Sequence, residues 1–258
     1  CIRDRYHALG RGHHFEIHPE GWVKNVPSER VLVVTRVSKT LAFSFVSNNY
    51  IYSDAVVVFA LDGFCDFAVL QSSIHAVFAW QHASRLKSDL RYSHSDCLEP
   101  FPFPDCSMGE QINSLEEIGE RLHESRAQYM RDGNIGLTGF YNNFHDPQVK
   151  GGDFSEIRNL QEAMDYAVLQ GYGWDDLDLG HSFHEVPYLP ENSRTRFTIS
   201  EPGRVEVLRR LGDLNRLRCE EERSGTISQN VRAERSGDID KVDKVEATRQ
   251  PGFDFGAN

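Results

Sequence analysis

With 258 residues, 39% of them hydrophobic, the chain can fold as one large domain or two small ones, and it holds no apolar run of the ~18 residues a membrane span needs. Its net charge of -11 excludes a basic footprint spread over the whole surface. Five cysteines (Cys1, Cys65, Cys97, Cys106, Cys219), odd in number and without a Cys-x-x-Cys pair, argue for reduced thiols in a cytoplasm and against a disulfide framework or zinc knuckle.

The opening CIRDRYHALGRGHH has neither an initiating Met nor the apolar core of a secretory signal, so residues 1–21 read as the end of a preceding segment of a longer protein. Val31 to Val37 and Leu41 to Val46 are β-branched or aromatic runs separated by Ser38-Lys39-Thr40, a hairpin-like pattern. Tyr50 to Ala60 is a third strand, interrupted at Ser53-Asp54. From Phe67 the period becomes helical: Phe67, Leu70, Ile74, Val77 and Phe78 form a stripe, leaving Gln71, His75 and Gln81 on the other side. The expected unit over 22–107 is a small mixed β-sheet with a packed helix.

After Pro104 the chain reads as helical over 108–223. Glu110 to Arg131 carries the stripe Ile112, Leu115, Ile118 and Leu122 and ends at Gly133-Asn134. Gly136 to Asp153 reads as a turn-rich connector. Helices follow from Phe154 to Gln170, with Ile157, Leu160, Met164, Ala167 and Val168 inward, and from Glu201 to Glu222, with Val205, Leu208, Leu211, Leu214 and Leu217 inward. Residues 224–258 mix charge, Gly and Ser without a period and read as a disordered tail. The fold class is therefore α+β with a mainly helical C-terminal domain.

Charge is unevenly spread. From Trp22 to Ser93 seven basic residues face five acidic ones, a net of +2, which leaves -13 for the rest of the chain. Two basic, hydroxyl-rich segments lie here at element ends: Thr35 to Thr40 and Ser84 to Ser93. Arg holds a guanine or clamps a phosphate with two donors, while Lys, Ser and Thr supply shorter-range donors. Arg36, Ser38, Lys39, Ser84, Arg85, Lys87, Arg91 and Tyr92 are the expected DNA contacts, with Arg36 or Arg85 at bases and the lysines at phosphates. They form one surface if the strand turn and the helix exit share an edge; the alternative reading is a solvated turn whose charges serve solubility.

Enzyme chemistry finds less support. The chain lacks an Asn/Asp-Pro-Pro-Tyr/Phe loop for a flipped base and a Gly-rich strand-to-helix turn for a cofactor, and no lysine follows a carboxylate by two positions. His14 with His18, and His181 with His184 beside Asp175, Asp176 and Asp178, fall short of the three or four converging ligands of zinc. The run Asp175 to Asp178 reads as a cap or turn. Phe101, Phe103, Trp80 and Trp174 read as core residues.

The order of these segments is what carries a family likeness. ASRLKSDLRYSHSDCLEPFPFP, with Arg91-Tyr92-Ser93 and the Phe101 to Pro104 close, resembles the end of the target recognition domain in large single-chain restriction-modification enzymes of the MmeI and Eco57I kind and in related adenine-specific DNA methyltransferases. TRVSKTLAF from Thr35, YNNFHDP from Tyr141, the stretch Met164 to Leu179 and LRRLGDLNRLR from Leu208 resemble the strands and the C-terminal helical extension of the same proteins. The resemblance implies duplex DNA as partner, and nuclease and methyltransferase domains, the latter binding S-adenosylmethionine, before Cys1. No cofactor is expected in this chain itself. The rival expectations are a helical docking module or truncated remnant of such an enzyme, and residual methyl transfer.

Overall fold

The computed structural model describes residues 29–50, 52–104 and 109–224, with only the backbone described at 109–112 and 192. The expected N-terminal segment and tail lie outside these residues. The fold is α+β, as expected, and every strand pairing is antiparallel.

A first sheet has the order β3-β1-β4, from β1 (Arg30–Thr35), β3 (Ser44–Ser47) and β4 (Val56–Phe59). Leu32, Val34, Val57 and Phe59 join the main core, while Val31, Val33 and Val58 form a small cluster with Val46, Tyr52 and Val56. Both faces of β1 are thus covered, which explains its uninterrupted apolar run. The strand expected at Leu41 begins only at Ser44. Leu41, Ala42 and Phe43 are buried, and the Gln71 side chain satisfies their backbone: Phe43 N donates to Gln71 Oε1 (2.9 Å) and Gln71 Nε2 donates to the Leu41 carbonyl (3.2 Å). A side-chain amide replaces a ladder partner there.

Between them, residues 36–38 switch sheets. Arg36 N donates to the Ala55 carbonyl on one side, and its own carbonyl accepts from Tyr92 N on the other. The second sheet has the order β2-β6-β5, from β2 (Val37–Ser38), β5 (Ser84–Leu86) and β6 (Asp89–Arg91).

The single helix expected after Phe67 is two, α1 (Phe64–Gln71) and α2 (Ser73–His82), broken at Ser72, whose backbone is extended. The Ser72 hydroxyl donates to the Val69 carbonyl and accepts from His75 N, so one side chain ends one helix and caps the next. Gln71 and His75, expected to face outward, are buried at 7% and 0% exposure because Gln71 serves the Leu41–Phe43 backbone and His75 Nε2 bonds the Tyr92 hydroxyl at 2.9 Å.

Helix α3 (Gly109–Asp132) crosses α1 at Gly119, where a Cβ would lie 2.5 Å from the Phe64 carbonyl oxygen. Glu116, one turn earlier, accepts from the backbone N–H groups of Phe64 and Cys65 and caps α1 with a negative charge. Leu115 and Leu122 are buried as expected, and Asn134 (φ 47°) turns the chain after the helix. The connector contains a further helix, α4 (Leu137–Phe144), whose buried face is Phe140, Tyr141 and Phe144, a helical spacing masked by the Gly and Asn residues around it. Arg158 donates to the carbonyls of Asn143, Phe144, Asp146 and Val149 and so closes the end of α4.

Helix α5 (Gly152–Gly171) buries all five residues of its expected stripe. Its Asp165, fully buried, accepts from Ser73 N at the start of α2 (2.8 Å) and from His181 Nε2 (2.8 Å). A hairpin of β7 (Ser182–Glu185) and β8 (Thr195–Thr198), absent from the sequence reading, precedes α6 (Glu201–Arg223). The inward face of α6 is Gly203, Val207 and Leu211, whereas Val205 and Leu217 are 52% exposed. The helix is rotated from the expected stripe because Gly203 lets its backbone approach the Leu179 carbonyl, 2.9 Å from where a Cβ would stand. One apolar cluster runs from Leu32 to Leu211 and crosses the division expected at 107.

Gly119→Ala is expected to lower the melting temperature. Alanine favours a helix interior by about 1 kcal/mol over glycine, but overpacking against a fixed backbone costs about 1–3 kcal/mol. A thermal melt showing an unchanged or raised midpoint would remove the close crossing from the account of the fold.

Stability also has a defined pH dependence. Burial lowers the His75 pKa from 6.5 to about 3, and burial with Arg126 and Arg30 alongside lowers that of His123 to about 4. Both are neutral in the folded chain and protonate more readily when unfolded, so stability is full above the ordinary value and falls as pH drops toward these lowered values. His181 runs the other way: burial pulls its pKa down, the hydrogen bond and charge of Asp165 outweigh that, and its contribution is lost as pH rises through the raised value. Urea unfolding between neutral pH and about pH 4 is expected to show falling stability, with a shallower fall in His75→Gln; parallel slopes would contradict the role of His75.

Candidate nucleic-acid interface

The strand β6 brings the two basic segments together. Arg91 lies opposite Val37 on β2 and Ser84 on β5, and Leu90 lies opposite Ser38 and Arg85. Side chains directly opposite share a face, so Val37, Ser84, Leu86, Asp89 and Arg91 line one side of the ribbon, while Ser38, Leu90 and Arg85 line the other. Leu90 is 1% exposed and anchors the inner side in the core. The outer side carries the exposed apolar residues Val37 (36%) and Leu86 (55%) beside Arg91.

Each expected contact residue has a definite place. Arg91, Lys39 and Lys87 are exposed, and their side chains make no hydrogen bond or ion pair with other described residues. Lys87 sits at the tip of the two-residue β5–β6 turn with φ 59°, the left-handed region that favours glycine. Ser38 closes the turn beneath Lys39, its hydroxyl donating to the Thr40 carbonyl (2.8 Å) and accepting from Thr40 N (3.1 Å). Arg36 is half-buried, with Nε on the Asp54 carbonyl at 2.7 Å. The Arg85 guanidinium stands over Trp80 and Tyr188, 5.9 and 5.4 Å from the ring centroids.

Tyr92 is a correction. It is fully buried, its hydroxyl is bonded to His75, and it meets Phe43 and Phe59 edge to face, so it supports β6 from within and presents nothing to a ligand. Alternation explains the error: Tyr92 follows the outward Arg91 and turns into the core with Leu90 two positions back. Phe101 and Phe103 are buried at 4% and 6%, as expected of core residues. Trp174 is half-buried and stacked on Tyr172 at 4.4 Å.

Val37 and Leu86 went unnoticed in the sequence. Their signal was present: Ser84-Arg85-Leu86 and Asp89-Leu90-Arg91 alternate with period two around a two-residue gap, which is the spacing of a tight hairpin. Among the described residues no group of three His, Cys, Asp or Glu side chains is placed to hold a metal ion. His184 Nε2 bonds the Gly180 carbonyl, Asp176 pairs with Arg210, and Asp178 accepts from Gly180 N and the Tyr166 hydroxyl. His14 and His18 lie outside the described residues.

No helix among the described residues is long and apolar enough to cross a membrane. No curated protein matches the chain. A solved structure of the type IIL restriction-modification enzyme MmeI in complex with DNA aligns with a TM-score of 0.48 and 24% identity over 59% of this chain. The aligned region is 20% of that enzyme, so the chain spans about a fifth of its length. The family model described as "MmeI, target recognition domain" matches residues 16–105, which include both sheets, α1, α2 and the Phe-Pro-Phe-Pro close. Residues 16–105 are an MmeI-type target recognition domain.

Proposed function

We propose that the β2-β6-β5 ribbon reads the sequence of duplex DNA, as the specificity module of a restriction-modification or adenine-N6 DNA methyltransferase polypeptide. The observation that carries this reading is the cross-strand register that gathers Val37, Ser84, Leu86, Asp89 and Arg91 on one outward face with Lys39 and Lys87 at its margins. Two strands about 4.8 Å apart form a ribbon narrower than the ~12 Å major groove, so the β5–β6 hairpin enters tip first and β2 rides at the groove wall. Arg91, at the centre of the ribbon, addresses base edges; Val37 and Leu86 meet thymine methyl groups; Lys39 and Lys87 hold phosphates. Arg91 takes first place in base reading over Arg36 and Arg85, because its exposed side chain has no partner among the described residues, whereas Arg36 holds the Asp54 carbonyl through Nε and Arg85 lies over the Trp80 and Tyr188 rings.

Methyl transfer and cleavage belong to other domains of the parent polypeptide, the former with S-adenosylmethionine. The residues here do not fit that cofactor: the turn from β4 to α1 (Ala60-Leu61-Asp62-Gly63) holds a single glycine, so no chemical step is assigned to this chain.

Duplex affinity measured across salt concentrations tests the ribbon. Arg91→Ala is expected to cost about 1–3 kcal/mol and to relax preference at one base pair, whereas Lys87→Ala should weaken binding to all sequences and reduce the salt slope by about one. Unchanged affinity and slope in both variants would overturn the assignment. Lys87→Gly separates binding from folding: relief of the left-handed backbone should stabilise the chain by about 1 kcal/mol while duplex affinity falls. A destabilised Lys87→Gly chain would contradict the strained tip.

A further inference from the structure

The β7–β8 hairpin lies outside residues 16–105, and its arginines are held unlike those of the neighbouring helix. On α6, Arg204, Arg209 and Arg210 each meet a carboxylate. Arg194 and Arg196, at the start of β8, meet none among the described residues. Each is pinned by Nε to a backbone carbonyl, Arg194 to that of Leu189 at 3.2 Å and Arg196 to that of Ser193 at 3.0 Å. Their terminal nitrogens have no partner among the described residues and are not sealed from solvent. The chain has 39 acidic residues against 28 basic ones, yet these two half-buried guanidinium groups are fixed in place without a counter-charge, an arrangement that an anion from outside would complete.

Two further cations stand beside them. The Arg85 guanidinium lies 5.4 Å from the centre of the Tyr188 ring, on the connection between β7 and β8, and is exposed without a hydrogen bond or ion pair among the described residues. Burial raises the Tyr188 pKa while the charges of Arg204, Arg85 and Arg196 pull against it, so three guanidinium groups converge on that ring. Glu201, the one acid that acts there too, is already held by Nε and Nη2 of Arg204. Lys39 joins from the margin of the ribbon. It lines the same cavity of about 110 Å³ as Trp80, Tyr188 and Arg196, and no Asp or Glu among the described residues lines it.

We propose that Arg85, Arg194 and Arg196 form, with Lys39, a clamp on the sugar-phosphate backbone of the duplex whose groove the ribbon enters. Several cations on one surface match a row of anions, and a DNA strand supplies one phosphate per about 3.4 Å of helix axis, whereas each protein carboxylate supplies a single charge. Lys39 belongs to both surfaces, so a duplex on the ribbon carries its backbone past the hairpin. Such contacts fix the register of the protein on the duplex and carry no sequence information. The position of the duplex rests on the reading of the ribbon given above; the attraction of the clamp for phosphates does not.

Duplex affinity of the full 258-residue chain, followed by fluorescence anisotropy from low to physiological salt with two unrelated duplex sequences, tests the clamp. The double variant Arg194→Gln with Arg196→Gln is expected to bind both duplexes about tenfold more weakly and to reduce the salt slope by about two, leaving the ratio of the two affinities unchanged. Arg209→Gln, which removes a cation from α6, should leave the slope as it is. Should the double variant fail to fold in a thermal melt, Arg85→Gln, a change at an exposed side chain, carries the test with a reduction of about one. An unchanged slope in the folded variant would assign these arginines to carboxylates of another domain and overturn the clamp. So would a shifted affinity ratio, which marks base reading, or an equal loss per cation in Arg209→Gln, which marks net charge alone. Failure of the ribbon gives a different pattern: loss in the hairpin variant with none in Arg91→Ala and Lys87→Ala leaves the clamp without the ribbon, and the reverse leaves the ribbon without the clamp.

Discussion

Everything about the exposed ribbon depends on a buried polar node at Gln71 and Arg126. Arg126 is 4% exposed and donates to the Phe43 carbonyl, Gln71 Oε1, the Tyr141 hydroxyl and Ser44 Oγ. Gln71 in turn satisfies the Leu41 and Phe43 backbone. These residues come from α1, α3, α4 and the approach to β3, so one guanidinium and one amide tie the first sheet to the helices. A buried charge is costly unless its donors are satisfied, and neutral oxygens satisfy this one from four directions. With Leu41 to Phe43 pinned inward, the chain from Arg36 to Thr40 projects from the first sheet, and there it pairs with β6.

Strand alternation divides the arginines of the β5–β6 hairpin between the two faces of the ribbon. Arg85 and Arg91 stand on opposite faces because the hairpin register places one opposite Leu90 and the other opposite Ser84. The first is drawn over Trp80 and Tyr188, and the second is left to solvent. Local charge, not the net charge of -11, decides what such a surface attracts, since exposed charges beyond about 8 Å are largely screened at physiological salt. Three cations around one small sheet, without side-chain partners among the described residues, give it a local positive charge even in an acidic chain.

Beneath the second sheet, His75 and Tyr92 form the other buried polar pair. The hydroxyl bonded to His75 Nε2 comes from the residue next to Arg91, so the orientation of the central cation is tied to a core hydrogen bond. Asp165 has a comparable role in the neighbouring layer, holding the start of α2 and His181 with its two carboxylate oxygens. These contacts join segments far apart in the chain, which is why the apolar core runs unbroken across the division expected between a recognition domain and a helical one.

Much of the architecture was legible in the sequence because it rests on local periodicity. The stripes of α3 and α5, the apolar run of β1 and the inward Phe101 and Phe103 all follow from the spacing of apolar residues, whereas the third strand expected from Tyr50 begins only at Val56. The order of basic segments and the Phe-Pro-Phe-Pro close were enough to resemble the family whose model matches residues 16–105. What only the tertiary structure decided are the features set by partners distant in sequence: the outward and inward faces of the ribbon, the burial of Tyr92, Gln71 and His75, the rotation of α6 about Gly203, and the meeting of Lys39, Trp80 and Arg196 around one cavity. Each depends on a hydrogen bond, a strand register or a backbone approach between segments whose separation along the chain carries no periodic signal.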